Sequence, residues 1–287
     1  MKFGYSLMGM NPQGYADVAR KAEECGFDSI WVPEHLVFPA EMPETYPYLE
    51  SGQGPRSGTH LFDPWVTLGF MAAVTTKLRL GTHVYILPLR HPIVTAKAVA
   101  TLDVLSQGRA LLGAGVGWLA EEFELVEQQF ERRGARTDEI IEILQRLWSE
   151  KVIEHHGEFY DLAPLRFEPK PVQSLLPISI GGDAPPALRR AARLGDGWIG
   201  ASHAFEKLED CVGRLEELRR EVDRENEPFE MIATTPPDAG FDGVKRRRDL
   251  GITTVVMMPP MQAGVRLTAE SVCADLERCR DEIITRL

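Results

Sequence analysis

The stretch that decides the fold is residues 177–198, PISIGGDAPPALRRAARLGDGW. An apolar strand pattern ends here at Gly181 and Gly182, and a helical pattern with Leu188 on its apolar face follows. The helix stops at Gly195, and a second apolar strand begins. Glycine is favoured just past a helix end because it tolerates the left-handed backbone conformation. A strand, a helix and a further strand in this order indicate a parallel sheet, since parallel strands need a crossover connection.

The same order recurs along the chain. Gly26, Gly108 and Gly251 each close a helical pattern and precede an apolar strand. Eight candidate strands result, each followed by helical sequence: residues 2–7, 28–32, 78–87, 109–115, 178–181, 197–201, 229–235 and 252–258. The chain has 287 residues, close to the ~250 typical of a (β/α)8 barrel. The pattern predicts a single α/β domain over residues 1–287, folded as a TIM barrel, with an open doubly wound sheet as the alternative.

Two insertions interrupt this rhythm. Residues 33–62 contain five prolines and three glycines together with four aromatic side chains: Phe38, Tyr46, Tyr48 and Phe62. Long loops in compact domains are commonly functional, so we expect an ordered lid over an active site. The second insertion, residues 149–177, is expected to hold a hairpin over 152–162 and an extended, proline-rich segment over 167–171.

Composition narrows the class of protein. The net charge of −11 argues against nucleic acid and anionic membrane as partners. Apolar runs fall short of the ~18 residues that cross a bilayer, and the N-terminus has the pattern of a strand, which predicts a cytoplasmic protein. The four cysteines include no CxxC pair, and no metal-ligand spacing is present, so no metal site is predicted.

Candidate functional residues lie where the predicted strands end, because barrel enzymes build their active sites at that face. Glu34 and His35 follow the second strand and could transfer a proton, bind a ligand or organise the loop. His83 lies inside the third strand, where a core role is the common one. Arg90 and His91 follow that strand and could serve the ligand or a subunit contact.

Two glycine-rich strand exits suggest a phosphorylated ligand. The first is LLGAGVGW at residues 111–118, and the second is Gly181-Gly182-Asp183 before a helix. Small residues there let backbone N–H groups approach an anion, and a helix N-terminus adds a favourable field. The alternatives are close packing of the glycines and an N-cap role for Asp183. Trp118 could stack on a planar ring or plug the barrel.

These segments resemble the luciferase-like monooxygenase superfamily over nearly the whole chain. The resemblance is carried by six stretches: residues 31–35 (WVPEH), 87–92 (LPLRHP), 100–109 (ATLDVLSQGR), 113–118 (GAGVGW), 133–139 (RGARTDE) and 180–198. Within the superfamily they look most like the actinobacterial branch that uses coenzyme F420, an 8-hydroxy-5-deazaflavin, with FMN as the alternative cofactor.

The resemblance implies a flavin-like ring at the carboxyl ends of the strands. It places a non-prolyl cis peptide bond behind the ring, which by position is His83–Val84. It also implies an acid–histidine pair, Glu34 and His35, beside the reactive ring, with the cofactor phosphate against the glycines. The implied cofactor-binding residues are His83, Val84, Gly115, Gly117, Trp118, Gly181, Gly182 and Asp183.

One departure from the resemblance concerns the substrate. The sugar-phosphate dehydrogenases of this branch carry a glutamate proton donor where this chain has Trp118, which suggests an apolar or planar substrate instead. The resulting hypothesis is an F420-dependent oxidoreductase that transfers hydride to or from a small organic molecule, with His35, assisted by Glu34, moving the proton.

Two other functions compete with this hypothesis. One is a two-component FMN monooxygenase that takes reduced flavin from a partner reductase, and the other is a non-catalytic flavin-binding protein. Because members of the superfamily are commonly dimers or larger, the resemblance also implies a homo-oligomer.

Overall fold

The computed structural model describes residues 1–43, 46, 55, 57–200, 204–261 and 267–287. The strands are β1 Lys2–Ser6, β2 Ser29–Val32, β3 Arg79–Thr82, β4 Tyr85–Ile86, β5 Ala110–Gly115, β6 Ile153–His156, β7 Asp161–Leu165, β8 Ile178–Gly181, β9 Gly197–Gly200, β10 Glu230–Thr235 and β11 Thr254–Met257. Parallel pairing runs in the order β3-β2-β1-β11-β10-β9-β8-β5, and β3 also pairs with β5. This closes an eight-stranded barrel, so the TIM-barrel prediction is confirmed and the open sheet is excluded.

Helices cover the outside of the barrel. They are α1 Tyr15–Glu24, α2 Pro64–Ala72, α3 Pro92–Ser106, α4 Ala120–Leu125, α5 Arg133–Ser149, α6 Pro185–Leu194, α7 Phe205–Glu221, α8 Gly240–Asp249 and α9 Ala269–Glu282, with short 3-10 turns at Pro12–Gly14, Leu87–Leu89 and Ile284–Arg286. The α1 helix shows why they dock, since its apolar stripe, which includes Val18, Ala19 and Ala22, is fully buried against the barrel. Across the described ranges, no helix combines the length and apolarity needed to cross a membrane.

The sequence predicts that the third strand is a single element over residues 78–87, and here the structure differs. The structure divides it into β3 and β4, separated by a cis peptide bond between His83 and Val84. The β3 strand pairs with both β2 and β5, whereas β4 continues along β5 alone. The cis bond implied by the resemblance is therefore present at the expected position.

The glycines that close helices do so for two reasons. Gly26, Gly108 and Gly251 have φ angles of +81°, +84° and +98°, the left-handed conformation expected after a helix. Gly195 is different, because its φ of −88° suits any residue. A Cβ atom on Gly195 would lie 2.9 Å from the carbonyl oxygen of Gly197, so space requires this glycine.

The two insertions differ in secondary structure. The β6 and β7 strands pair antiparallel and form the expected hairpin, on the outside of the barrel. In the first insertion, the described residues between β2 and α2 form neither helix nor strand, and Tyr48 lies outside the described residues. Residue 201, at the end of the predicted strand 197–201, also lies outside them.

Inside the barrel, Trp31 fills the space beneath the mouth. Cβ atoms on Gly4 and Gly81 would each lie 2.5 Å from the Trp31 indole, so glycine on both flanking strands makes room for this ring. Leu111, Ile199, Ile232 and Val256 complete the interior cluster. The barrel is therefore a packed core, and a ligand is confined to the face at the carboxyl ends of the strands.

At the opposite end of the barrel, one buried charged side chain connects three elements. The Arg109 side chain donates to carbonyl oxygens of Ala72, Thr75, Leu78 and Ser106 at 2.7–3.1 Å, and also to the Thr75 hydroxyl. These bonds attach the end of α2 and the start of β3 to the start of β5.

Candidate functional site

His35 lies in the loop after β2 and has a partner on each ring nitrogen. Its Nδ1 is 2.7 Å from Oε2 of Glu122, a fully buried residue in the first turn of α4. The Trp118 indole Nε1–H donates to His35 Nε2 at 3.3 Å. Because the indole nitrogen can only donate, the network assigns the imidazole proton to Nδ1 and leaves Nε2 as an acceptor. The other carboxylate oxygen of Glu122 accepts the Leu36 backbone N–H at 2.6 Å, which fixes the loop.

Glu34 has a different environment from the one predicted. Its carboxylate accepts the Ile86 backbone N–H at 2.6 Å and pairs with the Arg90 guanidinium. Burial raises the pKa of Glu34 from 4.5 to about 7, against the opposing effects of Arg90 and the Ile86 N–H. Neighbouring residues of an extended segment point to opposite sides, so Glu34 and His35 have separate partners. The carboxylate in contact with His35 is thus Glu122, whereas Glu34 is paired with Arg90, and the proposed assistance of His35 by Glu34 stays a prediction.

Arg90 and His91 are also separated by the fold. The Arg90 guanidinium lies 4.4 Å from the Tyr85 ring centroid and pairs with Glu34 beneath the mouth. The His91 side chain instead accepts the Ile93 backbone N–H and caps α3. Of these two residues, only Arg90 belongs to the barrel mouth.

Two aromatic side chains contact the His35 ring and a third packs against one of them; we call these three residues, Phe38, Trp118 and Tyr46, the aromatic wall. The Phe38 ring lies 4.7 Å from the His35 ring, the Trp118 ring lies 5.8 Å from it, and the Tyr46 ring packs edge-on against Trp118 at 5.0 Å. Phe38 and Tyr46 come from the first insertion, so this segment contributes directly to the site. Trp118 is part of the wall and does not plug the barrel, where Trp31 sits.

The floor of the site is the cis segment. The Val84 side chain sits between Gly115 and Gly181, where added Cβ atoms would lie 2.5 and 2.7 Å from its two methyl groups. These glycines therefore make room for Val84, a reason that the sequence did not reveal. The adjoining His83 ring is positioned by Thr234, whose hydroxyl lies 3.3 Å from His83 Nε2. The same hydroxyl donates to the Gly200 carbonyl oxygen.

The turn before α6 only partly suits the anion contact expected there. The Gly182 N–H donates to the Ile199 carbonyl at 3.1 Å, so it is not directed at an anion, and this detail of the prediction is corrected. Pro185 and Pro186 begin the helix and have no N–H groups. The N-cap is Ala184, which excludes the N-cap role for Asp183.

Gly117 follows β5 in the left-handed conformation, with a φ of +78°, and its carbonyl accepts the Arg133 Nε–H at 3.0 Å. A Cβ atom there would lie 2.7 Å from the Phe123 ring. Gly117 thus turns the chain so that Trp118 reaches His35.

Glu122 is the residue in contact with His35 that sequence reasoning missed. It sits beside the buried Phe123 on α4, and a carboxylate on the buried face of a short helix is the signal that could have found it. In the described part of the chain, no three histidine, cysteine, aspartate or glutamate side chains are grouped as a metal site requires. The arrangement is suited to proton transfer: a buried carboxylate orients an imidazole whose second nitrogen is an acceptor, contacted by the Trp118 N–H.

Comparison with known proteins identifies the family. The luciferase-like monooxygenase family model matches residues 1–242. The chain belongs to this family.

Among relatives, an uncharacterized protein of Mycobacterium tuberculosis is 36% identical over 258 residues, which cover 90% of this chain and 88% of the relative. An F420-dependent glucose-6-phosphate dehydrogenase of Amycolatopsis mediterranei is 30% identical, covering 79% of this chain and 71% of the relative. An F420-dependent glucose-6-phosphate dehydrogenase of Kineococcus radiotolerans is 34% identical, and the match covers 69% of this chain and 56% of the relative.

Two solved structures share the fold. The monooxygenase RslO1 from Streptomyces bottropensis has a TM-score of 0.81 at 20% identity, covering 100% of this chain and 99% of that chain. The coenzyme F420-dependent tetrahydromethanopterin reductase from Methanopyrus kandleri has a TM-score of 0.78 at 18% identity, covering 99% of each.

Proposed function

We propose that this protein is an F420-dependent oxidoreductase that transfers hydride to or from a small organic substrate while His35 moves the accompanying proton. The observation that carries the proposal is the His35–Glu122 pair, with Nδ1 of the imidazole held at 2.7 Å and Nε2 left as an acceptor for the Trp118 N–H at 3.3 Å. The two F420-dependent dehydrogenases among the relatives support the choice of cofactor.

The floor fits a flat ring. Because Val84 is seated between two glycines, Gly115 and Gly181, it presents a low apolar surface. We place the ring against Val84 and the His83–Val84 peptide, with Gly115 and Gly181 behind them. Gly117, Gly182 and Asp183 are proposed for the phosphate side, through groups other than the Gly182 N–H. When bound, the cofactor supplies a ring carbon that accepts or donates hydride.

The residues of this chain hold and move the proton. His35 Nε2 accepts a proton from a substrate hydroxyl, or returns one to a carbonyl, and Glu122 stabilises the charged imidazole and fixes its orientation. The Trp118 N–H, at 3.3 Å, occupies the position that the substrate hydroxyl takes. Glu34 is reassigned as a positioning residue, because it holds the Ile86 N–H and thereby the segment that follows Val84.

The test is a parallel fluorescence and calorimetric titration with oxidised and reduced F420 and FMN. We expect micromolar or tighter binding of F420 and much weaker binding of FMN. Preference for reduced FMN, together with oxygen uptake that depends on it, would overturn the proposal in favour of a monooxygenase served by a partner reductase. Cofactor binding with a blocked substrate cavity and no turnover would instead indicate a flavin-binding protein.

A further inference from the structure

We propose, resting on the function above, that the substrate is an uncharged, apolar molecule that presents one hydroxyl or carbonyl group to His35. Three features of the mouth support this substrate class: the aromatic wall, a group of methionines on the other side of the β2 exit, and the pairing of the charged groups between them.

The aromatic wall defines what lies beside the reacting atoms. Phe38 and Trp118 both contact the His35 ring, at centroid distances of 4.7 and 5.8 Å, and Tyr46 extends the surface from Trp118. A molecule whose oxygen reaches His35 Nε2 must therefore place its body against aromatic faces and edges. Flat or apolar groups gain dispersion and burial there, whereas a charged group loses hydration without compensation.

The opposite flank is rich in methionine. β1 pairs with β2 on one side and β11 on the other, and five methionines lie at or after the ends of β1 and β11: Met8, Met10, Met257, Met258 and Met261. Met10, Met257 and Met258 are buried, whereas Met8 is half-buried and Met261 is exposed. The two loops meet, since a Cβ atom on Gly9 would lie 3.4 Å from the Met261 sulfur. Methionine is unbranched and polarizable, and it adapts to irregular apolar shapes. Met8 and Met261 therefore give this flank an accessible apolar surface for the far end of a substrate whose oxygen lies at His35.

The charges near His35 oppose an anionic substrate. Glu34 and Glu122 both lie beneath the mouth, with side chains 1% and 0% exposed. The Arg90 guanidinium is already paired with Glu34, so recruiting it for a phosphate or carboxylate would leave Glu34 buried without its cation. A sugar phosphate, which needs such a cation, is therefore disfavoured, and a neutral alcohol or ketone is favoured.

The reaction balances for such a substrate. In the oxidative direction, the C–H bond at the carbinol carbon breaks and its electron pair leaves as hydride to oxidised F420. The O–H proton passes to His35 Nε2 as the C=O bond forms. The reverse direction consumes reduced F420 and returns the same proton to the carbonyl oxygen.

The experiment compares neutral with anionic ligands; mandelate shares the phenyl skeleton of the neutral pair, and glucose 6-phosphate represents sugar phosphates. Binding of 1-phenylethanol and acetophenone is measured against mandelate and glucose 6-phosphate by calorimetry, and turnover is followed by the absorbance of F420. Each titration is run with oxidised F420, with FMN and with neither. Failure to bind F420 then contradicts the proposed function but not the substrate class. The substrate class is tested by the ranking of the four ligands, which is measured with either cofactor and without one.

We expect both neutral ligands to bind at least tenfold more tightly than mandelate or glucose 6-phosphate. Phe38→Ala and Trp118→Ala should each weaken binding of the neutral ligands about tenfold. Phe159→Ala is the matched control, because this aromatic ring lies on the hairpin turn under Arg132, and it should change nothing. Equal or tighter binding of mandelate or glucose 6-phosphate, or neutral-ligand binding unaffected by both wall variants, would overturn the proposal.

Discussion

At the amino-terminal end of the barrel, the buried Arg109 side chain donates to four backbone carbonyls and one hydroxyl, so its charge serves the chain itself. At the carboxyl-terminal end, Glu34 pairs with Arg90, and Glu122 pairs with His35. Arg90 Nη1 is buried there and has no hydrogen-bond partner among the described residues. The same fold thus uses buried charge for stability at one end and keeps it in side-chain pairs, available to chemistry, at the other.

The sharpest test of this contrast is His35→Asn. Asparagine can still donate to Glu122 but cannot serve as a proton acceptor at Nε2. We expect turnover to fall by about 10²–10⁴-fold, the usual contribution of a positioned acid–base group, with little change in F420 affinity or in the free energy of unfolding. Steady-state kinetics, cofactor titration and urea denaturation measure the three quantities. Turnover close to wild type would remove His35 from the mechanism.

Arg109→Met tests the other end of the barrel. Removing the guanidinium leaves several buried carbonyls without donors, so the free energy of unfolding should fall by about 3–5 kcal/mol. Turnover per folded molecule should not change. The control is Arg132→Met, since Arg132 is 54% exposed in its pair with Glu158, and its loss should cost no more than ~1 kcal/mol. Equal losses of stability in the two variants would contradict the conclusion that the hydrogen bonds of Arg109 stabilise this end of the barrel.

The sequence accounts for these two ends unequally. The order of helix, glycine and apolar strand predicted the barrel, because burial on both faces of a parallel strand is a local pattern. The break at His83–Val84 came only from family resemblance. The pairing of His35 with Glu122 joins residues 87 positions apart, and the glycines that seat Val84 lie on two other strands, so neither relation has a local signature.

The pH dependence of stability distinguishes Glu34 from an ordinary surface carboxyl. Burial raises its pKa from 4.5 to about 7, so between these values the folded state binds more protons than the unfolded state. The Glu34 contribution to the free energy of unfolding should therefore fall as pH rises from 4.5 to 7, by at most about 3 kcal/mol. Urea denaturation of wild type and of Glu34→Gln across this pH range measures the Glu34 contribution to the free energy of unfolding. The free energy of unfolding of wild type minus that of Glu34→Gln should fall as pH rises, and a value that stays constant or rises would contradict the raised pKa.

The smallest expected effect is that of Trp118→Phe. Phenylalanine keeps a ring in the wall but removes the N–H that competes with the substrate hydroxyl for His35 Nε2. One neutral hydrogen bond is worth about 1 kcal/mol, so KM for a neutral alcohol should fall by no more than about fivefold, with kcat unchanged. A rise in KM would show that the indole N–H contacts the substrate itself.

The central claim is that Glu122, and not Glu34, directs the proton chemistry of His35. The most direct measurement is turnover of Glu122→Gln beside Glu124→Gln, an exposed carboxylate on the same helix. Glutamine can accept the Leu36 N–H and present its amide N–H to His35 Nδ1, which moves the imidazole proton to Nε2. The account predicts a loss of about 10²-fold or more for Glu122→Gln and none for Glu124→Gln, with both variants folded and binding F420. Wild-type turnover in Glu122→Gln would contradict it.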